Sequence, residues 1–168
     1  MHDPVLARRS IRAYTDEPVT DEQVERLLRA AMAAPSAGNQ QPWAFVVVRD
    51  RATLEAVPSV HPYARMIAHA PLAIVVCGAG VESGRWPRFW DQDCAAAVEN
   101  LLIEAQALGL GAVWLGVHPL EERVTGVRKL LGIPDDVTPF AIVPVGCPAE
   151  TKPPSDRYDP ERVHRERW

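Results

Sequence analysis

Residues 91 to 108 constrain the chain more than any other stretch. From Cys94 to Leu108 only Glu99, Asn100, Glu104 and Gln106 are polar. A helix here is apolar around most of its circumference, so it must sit at the centre of the domain with other elements packed on it. Gly109 follows as its C-cap.

What surrounds that helix can be read from periodicity. Ala44 to Val48 and Leu72 to Cys77 are continuous apolar runs, predicting strands buried on both faces. Two short helices fit between them, one capped by Asp50 and one around Tyr63 to His69, which suggests strand-helix-strand connectivity. Gly111 to Val117, ending in Leu115-Gly116, predicts a third strand. Phe140 to Gly146 predicts a fourth, with Pro144 pointing to an edge position or a bulge. Asp3-Pro4 caps a short helix running to Arg8 or Arg9. Thr20-Asp21-Glu22-Gln23 is a capping box, and Val24, Leu27, Leu28 and Ala31 follow at helical spacing until Pro35. Glu121 to Leu131 reads as an amphipathic helix ended by Gly132 and Pro134. Gly78 to Trp90, with Pro87 inside, reads as a loop whose large side chains are Trp86 and Trp90.

After Gly146 the character changes. Pro148, Pro153, Pro154 and Pro160 punctuate a charged tail with few apolar anchors. Residues 147–168 cannot make a core of their own and are expected to lie as an arm on another surface, in a homodimer the partner's. The whole reads as one α+β domain over residues 1–168, a central mixed sheet of about four core strands flanked by helices.

Composition removes several functions. With 168 residues and 47% hydrophobic content the chain suits one domain with a real core. A net charge of −4 and a pI near 5.7 give no basic excess for a nucleic-acid backbone. Cys77, Cys94 and Cys147 are widely spaced in apolar or strand-like contexts and read as reduced core thiols. No apolar run approaches the roughly 18 to 20 residues of a membrane span, so the cytoplasm is the default address. The five histidines show no metal-ligand spacing, and neither a nucleophile elbow nor a P-loop is present. Gly78-Ala-Gly80 follows a strand but leads into Arg85-Trp86-Pro87, not into the helix that a dinucleotide fingerprint requires. Chemistry carried by a bound cofactor remains.

Two segments suit such a cofactor. Arg8-Arg9-Ser10-Ile11-Arg12, if extended, points Arg8, Ser10 and Arg12 to one side, two charged forks and a hydroxyl on one phosphate-sized target. Alone it reads as a solvated basic turn. Pro35-Ser36-Ala37-Gly38-Asn39-Gln40-Gln41-Pro42-Trp43 is a loop fixed by prolines and rich in hydroxyl and amide groups, which both donate and accept. Alone it reads as an ordinary helix-to-strand loop.

Together, R-R-S-x-R and P-S-x-x-N-x-Q-P-W this close to the N-terminus resemble the nitroreductase family. Asp93 to Leu102 with Ala107 to Gly116 looks like that family's central helix and following strand, and Lys152 through Arg157-Tyr158 to His164 looks like its C-terminal arm. The resemblance implies an α+β sandwich and an obligate homodimer with FMN at the subunit interface. Arg8 and Ser10 would hold the FMN phosphate, with Arg9 nearby through its main chain and Arg157 and Lys152 closing on it. Arg12 would sit by the N1/C2=O edge. Pro35, Ser36, Asn39 and Gln41 would come from the other subunit, and Leu115 and Gly116 would offer main-chain groups to the ring. It further implies that no side chain is catalytic. The flavin passes a hydride from NAD(P)H to a small electron-poor acceptor, the two substrates using one space in turn. Trp86 and Trp90 are either acceptor-stacking residues or packing for their loop. An oxidase, dehalogenase or flavin-consuming enzyme on the same dimer, or a flavin carrier without turnover, is the alternative.

Overall fold

The computed structural model describes residues 3–80, 89–153 and 155–168. Alternation along one strand decides where the helices go. β2 (Leu72–Ala79) is buried except at its last residue and lies between β1 (Trp43–Val48) and β5 (Val137–Gly146). Its Leu72, Ile74 and Val76 enter one core while Ala73, Val75 and Cys77 enter a second, as a period of two requires. The first core is closed by α2 (Asp21–Met32) and α4 (Trp90–Ala107). The second is closed by α3 (Arg51–Ala56), α5 (Glu121–Leu131) and the short 3-10 turns after α3. This is the α+β sandwich expected, with helices on both faces.

α4 takes the central position its composition demands. Cys94, Ala97, Val98, Leu101, Leu102 and Ala105 are buried, and Asn100 donates to the Ala30 carbonyl of α2 at 3.0 Å. Burial pushes the Cys77 and Cys94 thiols up to about 12, so both are unreactive core groups. No helix among the described residues is long and apolar enough to cross a membrane.

The sheet corrects three expectations. It has five strands in the order β1-β2-β5-β3 (Gly111–Ala112), with β4 (Leu115–Gly116) also on β5, and every ladder is antiparallel, where a mixed sheet of about four was expected. Val48 faces Ala73, so the helical connection leaves and re-enters the sheet at the same end, an antiparallel step whatever its length. The predicted third strand is two strands, β3 (Gly111–Ala112) and β4 (Leu115–Gly116), in one continuous register on β5. That register sets the unpaired Val113 opposite Pro144. Val117 N–H donates to the Phe140 carbonyl, and counting back in twos makes the Val113 position one that needs a donor from residue 144. Proline has none. Pro144 is therefore neither at an edge nor at a bulge: it sits in the central strand and interrupts its neighbour instead. The irregularity in β5 lies at Phe140, skipped where the register passes from Val76 on Ala141 to Cys77 on Pro139.

The two chain ends are laced together beyond β3. After α1 (Pro4–Ala7), capped by Asp3, Ser10 makes a parallel bridge to Ala112 and Ile11 N–H donates to the Ala112 carbonyl at 3.0 Å. Tyr14 then bridges Pro148, Thr15 N–H donates to Cys147 and Ala149 N–H to Ala13. From Ser155 onward the tail is largely exposed, with Tyr158, Val163 and Trp168 among its apolar side chains.

Gly111 permits that lacing, because a Cβ there would lie 2.6 Å from Ile11 Cγ2 and 2.8 Å from Ile11 Cβ. Gly111→Ala is expected to lower stability by about 1–3 kcal/mol, the overpacking range, as read by urea denaturation. An unchanged midpoint would show that the N-terminal segment yields without loss.

Candidate functional site

Lacing the ends gathers cations. Arg8, Arg9, Ser10 and Arg12 from one end, with Lys152 and Arg157 from the other, line a cleft of about 250 Å³. Five like charges repel one another, and the chain offsets this with fixed acceptors. Arg8 Nε donates to Glu99 Oε1 on α4 at 3.1 Å, which leaves the terminal nitrogens of its fork available. Arg9 Nη1 donates to the Pro153 carbonyl at 2.9 Å, and Lys152 Nζ to the Ser10 carbonyl. Glu150 accepts the Arg12 backbone N–H and pairs with Lys152 at 3.2 Å. The Arg12 N–H and, after it, Lys152 hold the Glu150 carboxyl below its ordinary range. Two carboxylates against five cations leave a site matched to a polyvalent anion.

The polar loop is built differently. Residues Ala37–Asn39 form a 3-10 turn, and Gly38, Asn39 and Gln41 all have positive φ, 59°, 55° and 51°. For the two amides this is a strained region, held here by local bonds. Gln41 N–H donates to Ser36 Oγ at 3.0 Å, and Gln41 Nε2 donates to Asn39 Oδ1 at 2.9 Å. The Ala37 N–H, two residues past Pro35, donates to Asp93 Oδ1 at 2.9 Å. Asp93 is buried in the first turn of α4, and its other oxygen has no partner among the described residues.

Cleft and loop do not meet within one chain. The loop enters the sheet at Trp43, which faces Gly78 and through it Thr138, whereas the cation segment joins at Ala112, opposite Val145. They stand at opposite edges and opposite ends of the sheet, on the order of 25 Å apart by strand rise and spacing.

Leu115 is buried and Gly116 exposed, with open space where a Cβ would project. The Gly116 carbonyl accepts from His61 Nε2 at 2.9 Å and from Arg123 Nη1 at 2.8 Å. Trp90 packs edge-on against His118 at 4.7 Å and Phe140 at 5.9 Å, in the first core. Trp86 and residues 81–88 of its loop lie outside the described residues, and the expected loop is shorter at both ends, since Gly78 and Ala79 belong to β2 and Trp90 opens α4. Sequence reading did not single out Glu99, Glu150, Asp93, His61 or Arg123. Only Asp93 carried a signal, an acid in the first turn of an otherwise apolar helix.

An α+β sandwich whose joined termini line a cation-rich cleft has close counterparts among known proteins. Family models for nitroreductases match residues 5–61 and 54–147. A Methanothermobacter thermautotrophicus protein provisionally named NADH dehydrogenase/NAD(P)H nitroreductase is 49% identical over 99% of this chain and 86% of its own. The crystal structure of a provisionally named NADH oxidase from Clostridium acetobutylicum superposes with TM-score 0.95 at 44% identity, covering 99% of this chain and 100% of the other. A provisionally named nitroreductase from Desulfovibrio desulfuricans, solved with FMN, gives TM-score 0.83 at 34% identity, covering 100% and 99%. The chain belongs to the nitroreductase family.

His61 is 1% exposed. Burial holds its imidazole below the ordinary histidine range, against the opposing pull of the Gly116 carbonyl. Above about pH 6.5 folded and unfolded chains are both neutral at this ring and its contribution is intact. As pH falls below that value the unfolded chain takes up the proton first, and stability is lost. The wild-type Tm is expected to fall between about pH 6.5 and 5 more steeply than that of His61→Gln, followed by circular dichroism. Parallel curves would show that His61 does not titrate against folding.

Proposed function

We propose that the chain is an FMN-dependent NAD(P)H oxidoreductase that works as a homodimer. The observation that carries this reading is the cleft of arginines and Lys152 drawn from both chain ends. FMN phosphate carries nearly two negative charges, and an acidic protein must concentrate cations locally to hold it. Here the free fork of Arg8, the Ser10 hydroxyl, Lys152 and Arg157 grip the phosphate, with Arg9 nearby through its main chain. Arg12 lies toward the N1/C2=O edge, where a positive charge favours the reduced state.

The partner subunit's Pro35, Ser36, Asn39 and Gln41 supply the polar contacts to the ring. The separation of cleft and loop within one chain supports this division. The exposed tail from Ser155, with Tyr158, Val163 and Trp168 uncovered, supports an arm laid on that partner. Leu115 and Gly116 bring main-chain groups to the ring from the cleft's own chain.

FMN, when bound, accepts a hydride from NAD(P)H and delivers it to a small electron-poor acceptor such as a nitroaromatic or a quinone. The protein binds, orients and excludes water, and no side chain acts as a nucleophile. One binding space used by donor and acceptor in turn gives ping-pong kinetics. Trp90 serves this space as a wall anchored by His118 and Phe140. An oxidase reading is favoured by the Clostridium acetobutylicum neighbour's name alone, and oxygen uptake without an added acceptor distinguishes it.

The purified protein is expected to be yellow, to release FMN on denaturation and to bleach within seconds when NADH or NADPH is added anaerobically. Arg8→Ala is expected to weaken FMN binding by about 1.5–3 kcal/mol, the range of a charge-assisted bond, measured by fluorescence titration. A colourless protein that FMN does not reconstitute would overturn the proposal. A yellow protein that NAD(P)H does not bleach would make it a carrier.

A further inference from the structure

Gly116 is the middle of an exposed strand edge with one group hidden and one left open. Val117 N–H donates to the Phe140 carbonyl at 3.0 Å, so Val117 and Leu115 turn their backbone groups toward β5 and Gly116, between them, turns its N–H and C=O outward. The outward carbonyl accepts two donors, His61 Nε2 at 2.9 Å and Arg123 Nη1 at 2.8 Å. A carbonyl has two lone pairs, and both are used. The outward N–H has no acceptor among the described residues, Gly116 is exposed, and a Cβ built on it would meet nothing within 4 Å.

The two donors are held for this task at some expense elsewhere. A carbonyl only accepts, so His61 carries its proton on Nε2, which leaves Nδ1 a buried lone pair without a partner among the described residues. Arg123 stands in the first turn of α5, where a cation opposes the helix dipole. Its guanidinium is steadied over the Tyr63 ring, 5.5 Å from the centroid. Local rules broken at two residues that converge on one atom mark a functional arrangement.

We infer that Arg123 and His61 are positioning residues that cap the Gly116 carbonyl, so that this edge of β4 offers the flavin ring only a donor and a positive field. Without the cap, the ring would meet an N–H and a bare carbonyl side by side, and the carbonyl lone pairs would repel an electron-rich ring. With it, the edge stabilises the reduced flavin over the oxidised one. This rests on the FMN reading above, and Arg123 itself need not touch the ring.

The test is the midpoint potential of bound FMN in the wild type, Arg123→Met and Arg123→Lys, each reconstituted with excess FMN. Methionine keeps the length and removes both donor and charge. Its preference for reduced over oxidised FMN is expected to fall about tenfold, a potential about 30 mV lower for a two-electron couple. Lysine, which keeps a donor and the charge, is expected to recover most of that shift. Arg123→Gln keeps one donor without charge and serves in place of methionine if that variant does not fold, with a smaller shift in the same direction. His61→Gln, with an amide donor of its own, is expected to stay near the wild type. A methionine or glutamine variant with the wild-type potential would overturn the inference while leaving the flavin reading intact. A wild type that binds no FMN would overturn the flavin reading itself.

Discussion

The arrangement depends on holding like charges together. Arg8, Arg9, Arg12, Lys152 and Arg157 come from segments more than a hundred residues apart in sequence, and none of them belongs to a long element. They are adjacent because the Ser10 bridge to Ala112 and the Tyr14 bridge to Pro148 lay both chain ends along one edge of the sheet. The pairs that offset their repulsion, Arg8 with Glu99 and Lys152 with Glu150, are partly exposed. Each contributes at most about 1 kcal/mol. Their larger effect is on geometry: an Arg8 fork fixed through Nε presents its remaining nitrogens without further loss of side-chain entropy.

That edge exists because of how β5 is built. Pro144 in the central strand splits its neighbour into β3 and β4. β3 then receives the N-terminal segment, whereas β4 presents Gly116 outward. A single unmade hydrogen bond thus separates the cation-lined cleft from the Gly116 edge. At the far corner, Asp93 pins the polar loop to the start of α4, so the apolar helix that organises the core also fixes the loop that a second chain would use.

Much of this was legible in the sequence. The capping box at Thr20, the Asp50 cap, the apolar α4 with Gly109 and the limits of α5 stand where local chemistry places them, because each depends on residues within one or two turns. The cation cluster was legible as a motif, and the exposure of the tail from Ser155 follows from its few apolar anchors. Strand direction was not legible, since a helical connection is compatible with parallel or antiparallel return and only the register of Val48 on Ala73 decides. The effect of Pro144 depended on what lies across from it. Glu99, Glu150, His61 and Arg123 were hidden for the same reason. A glutamate on a helix or an arginine in a first turn gains meaning only from the atom it faces, and those atoms are 55 to 138 residues away for Glu150 and His61.

If the joined chain ends form a phosphate site, calorimetric titration of the apoprotein with FMN and with riboflavin will separate the two ligands. The two ligands share the ring and the ribityl chain and differ by the phosphate alone. With two or more charge-assisted bonds at stake, each about 1.5–3 kcal/mol, FMN is expected to bind roughly a hundredfold or more tightly, with the difference shrinking as salt rises. Equal affinities for the two, insensitive to salt, would contradict the account.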